Sequence, residues 1–348
     1  MGPHTLIKRI LYIILVIFII VGIKGIDIYR KAFKPNVFIK NKKEQYFYIR
    51  TGSEYDDVLD LLYSNNLVKN KTTFEWASDR MNYKKNIHPG RYKLKNRMTN
   101  HRLILMLRSG TQEPVSLTFN KIRTIEKLAR IVSYRIEARY ADIMNLLNDN
   151  EYIKQIGFNE HTIKGLFIPN TYEFYWNTSA ETFIDRMLDE NKKFWDYKRT
   201  AKAKQMNFTI NEVMTLASIV SEETLKEEEK PRIAGVYINR LKKGIKLQAD
   251  PTVKYAIGDF SIRRVLSKHL SKDSPYNTYR YYGLPPGPIV ISSISSIDAV
   301  LNYEKHDYLY FCARDDFSGY HYFAKSLAQH NKYARLYQRA LNKRRILN

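Results

Sequence analysis

The chain has 348 residues, more than one domain of typical size, so two or three folded units are expected. With 44% hydrophobic and 27% charged residues it is neither disordered nor wholly embedded in a membrane, and its single cysteine excludes an intrachain disulfide and a cysteine-based zinc site. The formal net charge of +23 suits nucleic acid, acidic lipid or an acidic wall polymer, or reflects no specific partner, because surface charge mainly governs solubility.

An unbroken apolar run over residues 10–23 predicts a membrane-crossing helix at the amino terminus. The run is shorter than the roughly 20 residues that span a bilayer core, but the basic residues that flank it can snorkel. No small-x-small cleavage site follows it, which favours an uncleaved signal anchor over residues 10–26, after a short tail at residues 1–9. Positive charges lie on both sides of the run, so the charge count leaves the orientation of the anchor open.

Residues 27–45 are basic and poorly periodic, which indicates a linker close to the membrane. The pattern that follows predicts a strand at 46–49, helices at 55–62 and 72–81, and a strand at 91–94. Strand, helix, helix and strand within about 50 residues indicate a small module, which we place at residues 46–110.

Residues 111–348 mix helical and strand patterns, which predicts a single mixed domain. Helical spacing covers 125–148 and continues from 180 to about 204, and strands are expected at 115–119, 308–312 and 320–323. The fold class is therefore α+β, with an N-terminal transmembrane helix ahead of the small module and the mixed domain.

The stretch from Asn211 to Thr224 predicts a helix with one apolar face. Its apolar residues recur at helical spacing: Val213, Leu216, Ala217 and Val220. Glu223 extends this stripe, whereas Glu222 falls on the polar side with Thr215 and Ser218. The two adjacent carboxylates are therefore expected to have different surroundings.

A carboxyl on a buried face loses hydration, which favours its neutral form and raises its pKa. Such a group is suited to be the general acid of glycosidic cleavage, because it holds a proton near neutral pH and can deliver it to a leaving oxygen. Glu223 is the candidate. The alternative is that the helix ends near Val220 and Glu223 lies in solvent or pairs with a basic residue. The charged run that follows, Lys226 to Lys230, indicates a solvated face.

Loops rich in Pro, Gly and neutral polar residues follow a second helix, which we expect to end at Gly244. Such loops suit a sugar, which needs neutral hydrogen bonds and aromatic faces. The candidate substrate-binding residues are Gln248, Asp250, Thr252, Asn277, Tyr279 and His321. Asp250 is expected to cap a turn over 247–252 rather than to catalyse, and a structural role for His321 stays open.

Several long motifs occur in order: LASIVSEET, RIAGVYINRL, LQADPTV, YNTYRYYGLPPGPI, DYLYFCA and HYFAKSLAQHN. From residue 45 to 340 the chain closely resembles the YceG-like endolytic murein transglycosylases (MltG). The resemblance implies cleavage of the MurNAc–GlcNAc bond in nascent glycan strands, with 1,6-anhydro-MurNAc ends, Glu223 as the catalytic residue and no cofactor or metal. It also implies that the module at 46–110 is LysM-like. Lys164 and Asn170 depart from the family pattern, in which acids are common at both positions.

The resemblance further implies a single-pass protein of the bacterial cell membrane whose catalytic domain is extracytoplasmic and limits strand elongation. Its implied partners are glycan strands and the membrane, with peptidoglycan synthases as further candidates, and no nucleic acid. Two rivals remain at the level of sequence. One is a non-catalytic, membrane-anchored peptidoglycan-binding protein. The other is a nucleic-acid-binding protein, which charge and aromatic content suggest without any recognised motif.

Overall fold

The computed structural model describes residues 3–262 and 264–344, and the chain divides into two compact units. The first unit extends to Ser116 and includes Glu173–Thr178, and the second contains the rest of the chain. The mixture of helix and sheet that the sequence predicts is confirmed.

The first unit begins with helix α1 (Pro3–Phe33), of which Ile7–Phe33 is long and apolar enough to cross a membrane. The elements after it are β1 (Glu44–Ile49), α2 (Tyr55–Ser64), α3 (Lys71–Arg80), β2 (Gly90–Lys95) and α4 (Asn100–Arg108). Strands β1 and β2 pair antiparallel with Phe47 opposite Tyr92, and both side chains lie in the core of the unit. The predicted order of strand, helix, helix and strand is confirmed.

The predicted linker at residues 27–45 is wrong in its extent. Helix α1 continues to Phe33, and the side chains of Val37 and Ile39 are buried in the core. Val37 also forms an isolated β-bridge with Val68. A single extended strip held by isolated bridges leaves little periodic signal in the sequence, because only two of its apolar side chains lie in the core.

The second unit is mainly helical, and two of its strands form a hairpin. These are β5 (Tyr310–Ala313) and β6 (His321–Ala324), which pair antiparallel. Strands β3 (Val115–Phe119) and β4 (Asn170–Phe174) pair with each other, and each has residues in both units. The helices are α5 (Ile125–Ser133), α6 (Tyr140–Asn148), α7 (Asn150–Gln155), α8 (Ala180–Phe194), α9 (Tyr197–Gln205), α10 (Ile210–Glu223), α11 (Lys230–Lys242), α12 (Asp250–Ile257), α13 (Ser267–Leu270), α14 (Ile294–Leu301) and α15 (Leu327–Lys343).

Helix α10 lies in the core of this unit and packs against α9, α11, α12 and α14. Its predicted polar side is wrong, because every residue from Val213 to Ser221 is buried. The Thr215 hydroxyl donates to the Asn211 carbonyl at 2.7 Å, and the Ser218 hydroxyl donates to the Thr215 carbonyl at 2.7 Å. A Ser or Thr hydroxyl that bonds a carbonyl of its own helix can be buried at little cost in free energy. The polarity of Thr215 and Ser218 was therefore not a sign that this face is exposed to solvent.

The predicted turn at residues 247–252 is also wrong, because helix α12 begins at Asp250. Pro251 lies in the first turn of this helix, where the missing N–H has no partner to lose. Asp250 therefore does not cap a turn. Its carboxylate accepts a hydrogen bond from the Tyr279 hydroxyl at 2.6 Å.

Gly235 allows helix α11 to pack closely against the chain at residues 304–306. A Cβ atom at this position would lie 2.4 Å from the Glu304 carbonyl oxygen and 2.7 Å from Nε2 of His306. The His306 ring is held there by a 2.9 Å contact between its Nε2 and the Arg232 carbonyl oxygen. Glycine is thus required at this place by space and not by backbone conformation.

Replacement of Gly235 by Ala tests this packing. Alanine is the better helix former by about 1 kcal/mol, but the clash with backbone atoms should outweigh that gain and lower the free energy of unfolding by about 2 kcal/mol. Urea unfolding of the detergent-solubilised chain measures the change. Lys243→Ala, at the exposed position directly after this helix, is the control and should leave stability within about 0.5 kcal/mol. Equal stability of Gly235→Ala and the parent would contradict the close approach.

Candidate active site

A cavity of about 450 Å³ in the second unit brings together side chains from α10, α11, the β5–β6 hairpin and the loops near α12. Five of the seven residues that the sequence singled out line it: Glu223, Gln248, Asp250, Tyr279 and His321. These residues are separated by up to 98 positions in the chain (223 to 321), so the fold creates the site.

Glu223 is the last residue of α10, and its carboxyl meets a buried tyrosine. The Tyr237 hydroxyl donates to Oε1 of Glu223 at 2.5 Å. Burial raises the pKa of Glu223 to about 7, although the hydrogen bond from Tyr237 and the charge of Lys254 act in the opposite direction. Burial and the Glu223 charge raise the pKa of Tyr237 well above its usual value, so this hydroxyl keeps its proton and acts as a donor. Oε1 is thereby engaged, which leaves Oε2 to carry the acid proton.

Glu222, the neighbouring carboxylate, lies in a different environment. It forms an ion pair with Arg123 at 2.7 Å and a second with Lys121 at 3.2 Å. Glu222 is thus paired with two cations, whereas burial favours the neutral form of Glu223. The predicted difference between the two carboxylates is confirmed, and helix α10 does not end at Val220.

Arg240 is a buried cation in the wall of the cavity, with 5% of its surface exposed. Its guanidinium donates to the carbonyl oxygens of Lys246 and Leu309 and, at 2.6 Å, to Oε1 of Gln248. Because arginine can only donate, the oxygen of the Gln248 amide must face it, and the amide nitrogen of Gln248 is left as the donor. Gln248 adopts φ +53°, a left-handed conformation that is uncommon outside glycine and is found at functional sites.

Tyr279 completes this side of the cavity. Its hydroxyl donates to Asp250, and burial together with that carboxylate raises the pKa of Tyr279 far above its usual value. The charge of Asp250 in turn contributes to the raised pKa of Glu223. Asp250 and Tyr279 therefore influence the acid without bonding it.

Thr252 and Asn277 do not line the cavity, and both are completely buried. The Thr252 hydroxyl donates to the Ala249 carbonyl at 2.6 Å. The Asn277 amide donates to the carbonyls of Leu270 and Lys272 at 2.9 and 2.7 Å. The structure places these two residues in the buried framework beneath Gln248, Asp250 and Tyr279, Thr252 within α12 and Asn277 in the loop before Tyr279.

His321 lies in β6, and its Nδ1 is 2.9 Å from Oε2 of Glu229. The sequence missed Glu229, because the run from Lys226 to Lys230 was expected to be a solvated face. That expectation is wrong for the end of the run, since Glu229 and Lys230 are 3% and 4% exposed. The Lys230 ammonium pairs with Glu227 at 2.6 Å and also reaches the Ser295 hydroxyl at 2.9 Å.

Tyr237, Arg240 and Tyr310 also line the cavity but were not among the predicted site residues. One signal was available in the sequence: Arg240 follows Tyr237 by three positions and so shares the face of α11 that the apolar residues occupy. An arginine on a buried helical face is as unusual as a glutamate there. No such signal marks Tyr310, which is one of 27 tyrosines.

The two positions that depart from the family pattern lie outside this cavity. Lys164 is 8% exposed and bonds the Tyr255 hydroxyl, in a separate cavity of about 460 Å³. Asn170 is the exposed first residue of β4. Among residues 3–262 and 264–344, no group of three or more His, Cys, Asp or Glu side chains could hold a metal ion.

Comparison with known proteins gives consistent matches. The YceG-like family matches residues 47–336. The chain is 32% identical over 329 residues to a Bacillus subtilis protein named endolytic murein transglycosylase, a match that covers 89% of each chain. It is 31% identical to the protein of the same name from Streptococcus pneumoniae D39, covering 82% of this chain and 56% of that one. The crystal structure of a YceG-like protein from Listeria monocytogenes is similar, with a TM-score of 0.57, 30% identity and coverage of 84% of this chain and 99% of that chain.

The raised pKa of Glu223 predicts a pH dependence of stability. A carboxyl whose pKa is raised on folding binds its proton more tightly in the folded state, so the free energy of unfolding falls as pH rises from about 4.5 to about 7. Glu223→Gln removes this fall. We expect the variant to exceed the parent in stability by about 2 kcal/mol near pH 8 and to match it near pH 4, as measured by urea unfolding.

Glu222→Gln is the matched control, because it removes a carboxylate that two cations stabilise. It should lower stability near pH 8 instead of raising it. The raised pKa of Glu223 is contradicted if the free energy of unfolding falls by the same amount from pH 4 to pH 8 in Glu223→Gln and in the parent.

Proposed function

Because the chain belongs to the YceG-like family, we propose that it is a lytic transglycosylase that cuts peptidoglycan glycan strands from within. The observation that carries the proposal is Glu223, a carboxyl with a pKa of about 7 in a polar cavity. The relatives named endolytic murein transglycosylase support the same activity. A non-catalytic wall-binding role is not favoured, because such a role gives no reason for an acid held ready to donate its proton.

The proposed reaction needs one carboxyl, which acts twice. Glu223 first gives the proton on Oε2 to the glycosidic oxygen between MurNAc and GlcNAc, and the bond from C1 of MurNAc to that oxygen breaks. The C6 hydroxyl of the same MurNAc then forms a bond to C1, and Glu223 accepts the proton that this hydroxyl loses. The products are a free GlcNAc hydroxyl and a 1,6-anhydro-MurNAc end. The substrate's own hydroxyl takes the place of the water that a two-carboxylate hydrolase activates.

Tyr237 suits both halves of this cycle. Its hydroxyl stays protonated, so it can donate to Glu223 whether the carboxyl is neutral or charged. The hydrogen bond strengthens as the carboxylate forms, which eases release of the proton. The amide of Gln248 and the hydroxyl of Tyr279 are proposed to hold the saccharide, and Asp250 to stabilise positive charge at C1. Thr252 and Asn277 are proposed to act indirectly, through the loops that they support.

We also propose an arrangement for the whole chain. Residues 10–26, within the exposed apolar helix α1, would anchor it once in the bacterial cell membrane, with the catalytic domain at 111–348 on the extracytoplasmic side. The module at 46–110 would be LysM-like and bind glycan strands, a role that its paired strands and packed helices support. The proposed partners are glycan strands and the membrane, with peptidoglycan synthases as further candidates.

Glu223→Gln tests the proposed reaction. The amide has nearly the same shape as the carboxyl but cannot supply a proton, so release of 1,6-anhydro-muropeptides from uncrosslinked glycan strands should fall by at least about a thousandfold. Mass spectrometry of the product ends measures this release. Glu222→Gln is the matched control and should keep activity within about threefold of the parent. Undiminished release by Glu223→Gln would refute the role of the acid, and absence of anhydro ends with the parent would refute the reaction.

Gln248→Glu tests the proposed saccharide contact. The carboxylate can still accept from Arg240, but it can no longer donate to a ligand as the amide does. Affinity for glycan strands should fall about tenfold, as expected for the loss of one hydrogen bond in a desolvated site. The measurement uses the Glu223→Gln background, in which bound strands are not cut and the pKa of Glu223 plays no part. Gln329→Glu, an exposed change of the same kind, should leave the affinity unchanged.

A further inference from the structure

The buried carboxylate of Glu229 contacts His321 through both of its oxygens. Glu229 ends a 3₁₀ turn at Glu227–Glu229 and is 3% exposed. Its Oε1 accepts from the backbone N–H of His321 at 2.9 Å, and its Oε2 lies 2.9 Å from Nδ1 of the same residue. Both oxygens of one carboxylate therefore contact one histidine.

This contact fixes the hydrogen-bonding character of the imidazole. A carboxylate can only accept, so Nδ1 of His321 must carry a hydrogen, and in the neutral ring Nε2 is then an acceptor. The same relation between a carboxylate and a histidine orients the ligands of many metal sites, where it selects the tautomer of the ring. Nε2 has no hydrogen-bond partner in the described part of the chain and is not fully buried, and the residue lines the cavity.

The ring is also fixed in place by packing. Phe311 meets the His321 ring edge-on, with 5.4 Å between centroids, and meets the Tyr237 ring in the same way at 5.8 Å. One aromatic side chain thus touches both the histidine and the tyrosine that bonds the catalytic acid. The histidine and the acid therefore line one cavity and are linked through Phe311 and Tyr237.

A purely structural role for the Glu229–His321 pair would need only one of the two hydrogen bonds. The bond from the His321 backbone N–H is enough to connect β6 to the turn that carries Glu229, and any residue except proline could make it. The second bond adds nothing to that tie, but it removes rotational freedom and sets the tautomer. Burial of a carboxylate destabilises the fold unless both oxygens have hydrogen-bond partners. Because the second bond of Glu229 is not needed to hold the strand, we infer that it serves to fix the hydrogen-bonding character of Nε2.

We propose that Glu229 is a positioning residue that fixes the His321 ring with a hydrogen on Nδ1, and that Nε2 of the neutral ring receives a hydrogen bond from a hydroxyl or acetamido N–H of the bound saccharide. This inference rests on the proposed function. The amide nitrogen of Gln248 offers a donor to the cavity, while Glu223 and Asp250 offer carboxyl groups. His321 adds an uncharged acceptor, which a sugar needs because each of its hydroxyls both donates and accepts.

Two substitutions of His321 separate this role from a structural one. The terminal amide of glutamine reaches about as far as Nε2, whereas that of asparagine reaches only as far as Nδ1. In the Glu223→Gln background, His321→Gln should bind uncrosslinked glycan strands within about threefold of the parent background. His321→Asn should bind about tenfold more weakly, with an unchanged unfolding midpoint. Isothermal titration calorimetry with purified strands measures both affinities.

Glu229→Gln tests the positioning role. Its amide can accept from the backbone N–H and donate to Nδ1, which would move the ring hydrogen to Nε2 and turn the acceptor into a donor. We expect about tenfold weaker binding, together with a change of the His321 tautomer in ¹⁵N NMR of histidine-labelled protein. Glu228→Gln, at the exposed neighbour that bonds Tyr320, is the control and should change neither.

The outcomes of this experiment are distinct. Equal affinities of His321→Asn, His321→Gln and the parent background overturn the inference, as does an unchanged tautomer in a folded Glu229→Gln. The proposed function can still stand in that case, because the parent would continue to release anhydro ends. If strands do not bind the Glu223→Gln background and the parent does not cut them, the proposed function itself fails.

Discussion

The site depends on the loss of water around one carboxyl, balanced by one hydrogen bond. Burial alone would make Glu223 a poor proton donor, because a carboxyl with a strongly raised pKa releases its proton reluctantly. The Tyr237 hydroxyl opposes that effect and brings the pKa to about 7. Since the tyrosine cannot itself ionise in this setting, the balance holds through a cycle in which the acid loses and regains a proton.

The scaffold serves this balance by fixing the two helices that carry it. Helix α10 is buried on all sides from Val213 to Ser221 and presents Glu223 only at its end, while α11 presents Tyr237 to Glu223 and packs closely against residues 304–306 at Gly235. The β5–β6 hairpin packs against α11, and its Phe311 contacts Tyr237. Packed helices and a hairpin of this kind keep the Tyr237 hydroxyl close to Oε1 of Glu223, and this contact does not depend on a loop.

The sequence predicted what depends on local periodicity and missed what depends on distant contacts. Helical spacing placed Glu223 at the end of an apolar stripe, and loop composition led to Gln248, Asp250 and Tyr279, all of which line the cavity. It could not show that the side chains of Asn277 and Thr252 donate their hydrogen bonds to backbone carbonyls, because those partners depend on how the surrounding chain folds. It could not find Glu229 either, since a glutamate in a charged run is buried only when a strand some 90 residues later covers it.

Glu223 is the final residue of α10, so its carboxyl also experiences the dipole of that helix. The peptide dipoles of a helix sum to a partial negative charge at its carboxyl end, which disfavours a further negative charge there by a few tenths of a kcal/mol or more. A carboxylate at the opposite end of the same helix would be stabilised instead, as Glu212 is placed to be in the first turn. The backbone of α10 thus works alongside dehydration, so that part of the tendency to hold a proton comes from the direction in which the helix runs and would survive changes in the surrounding side chains.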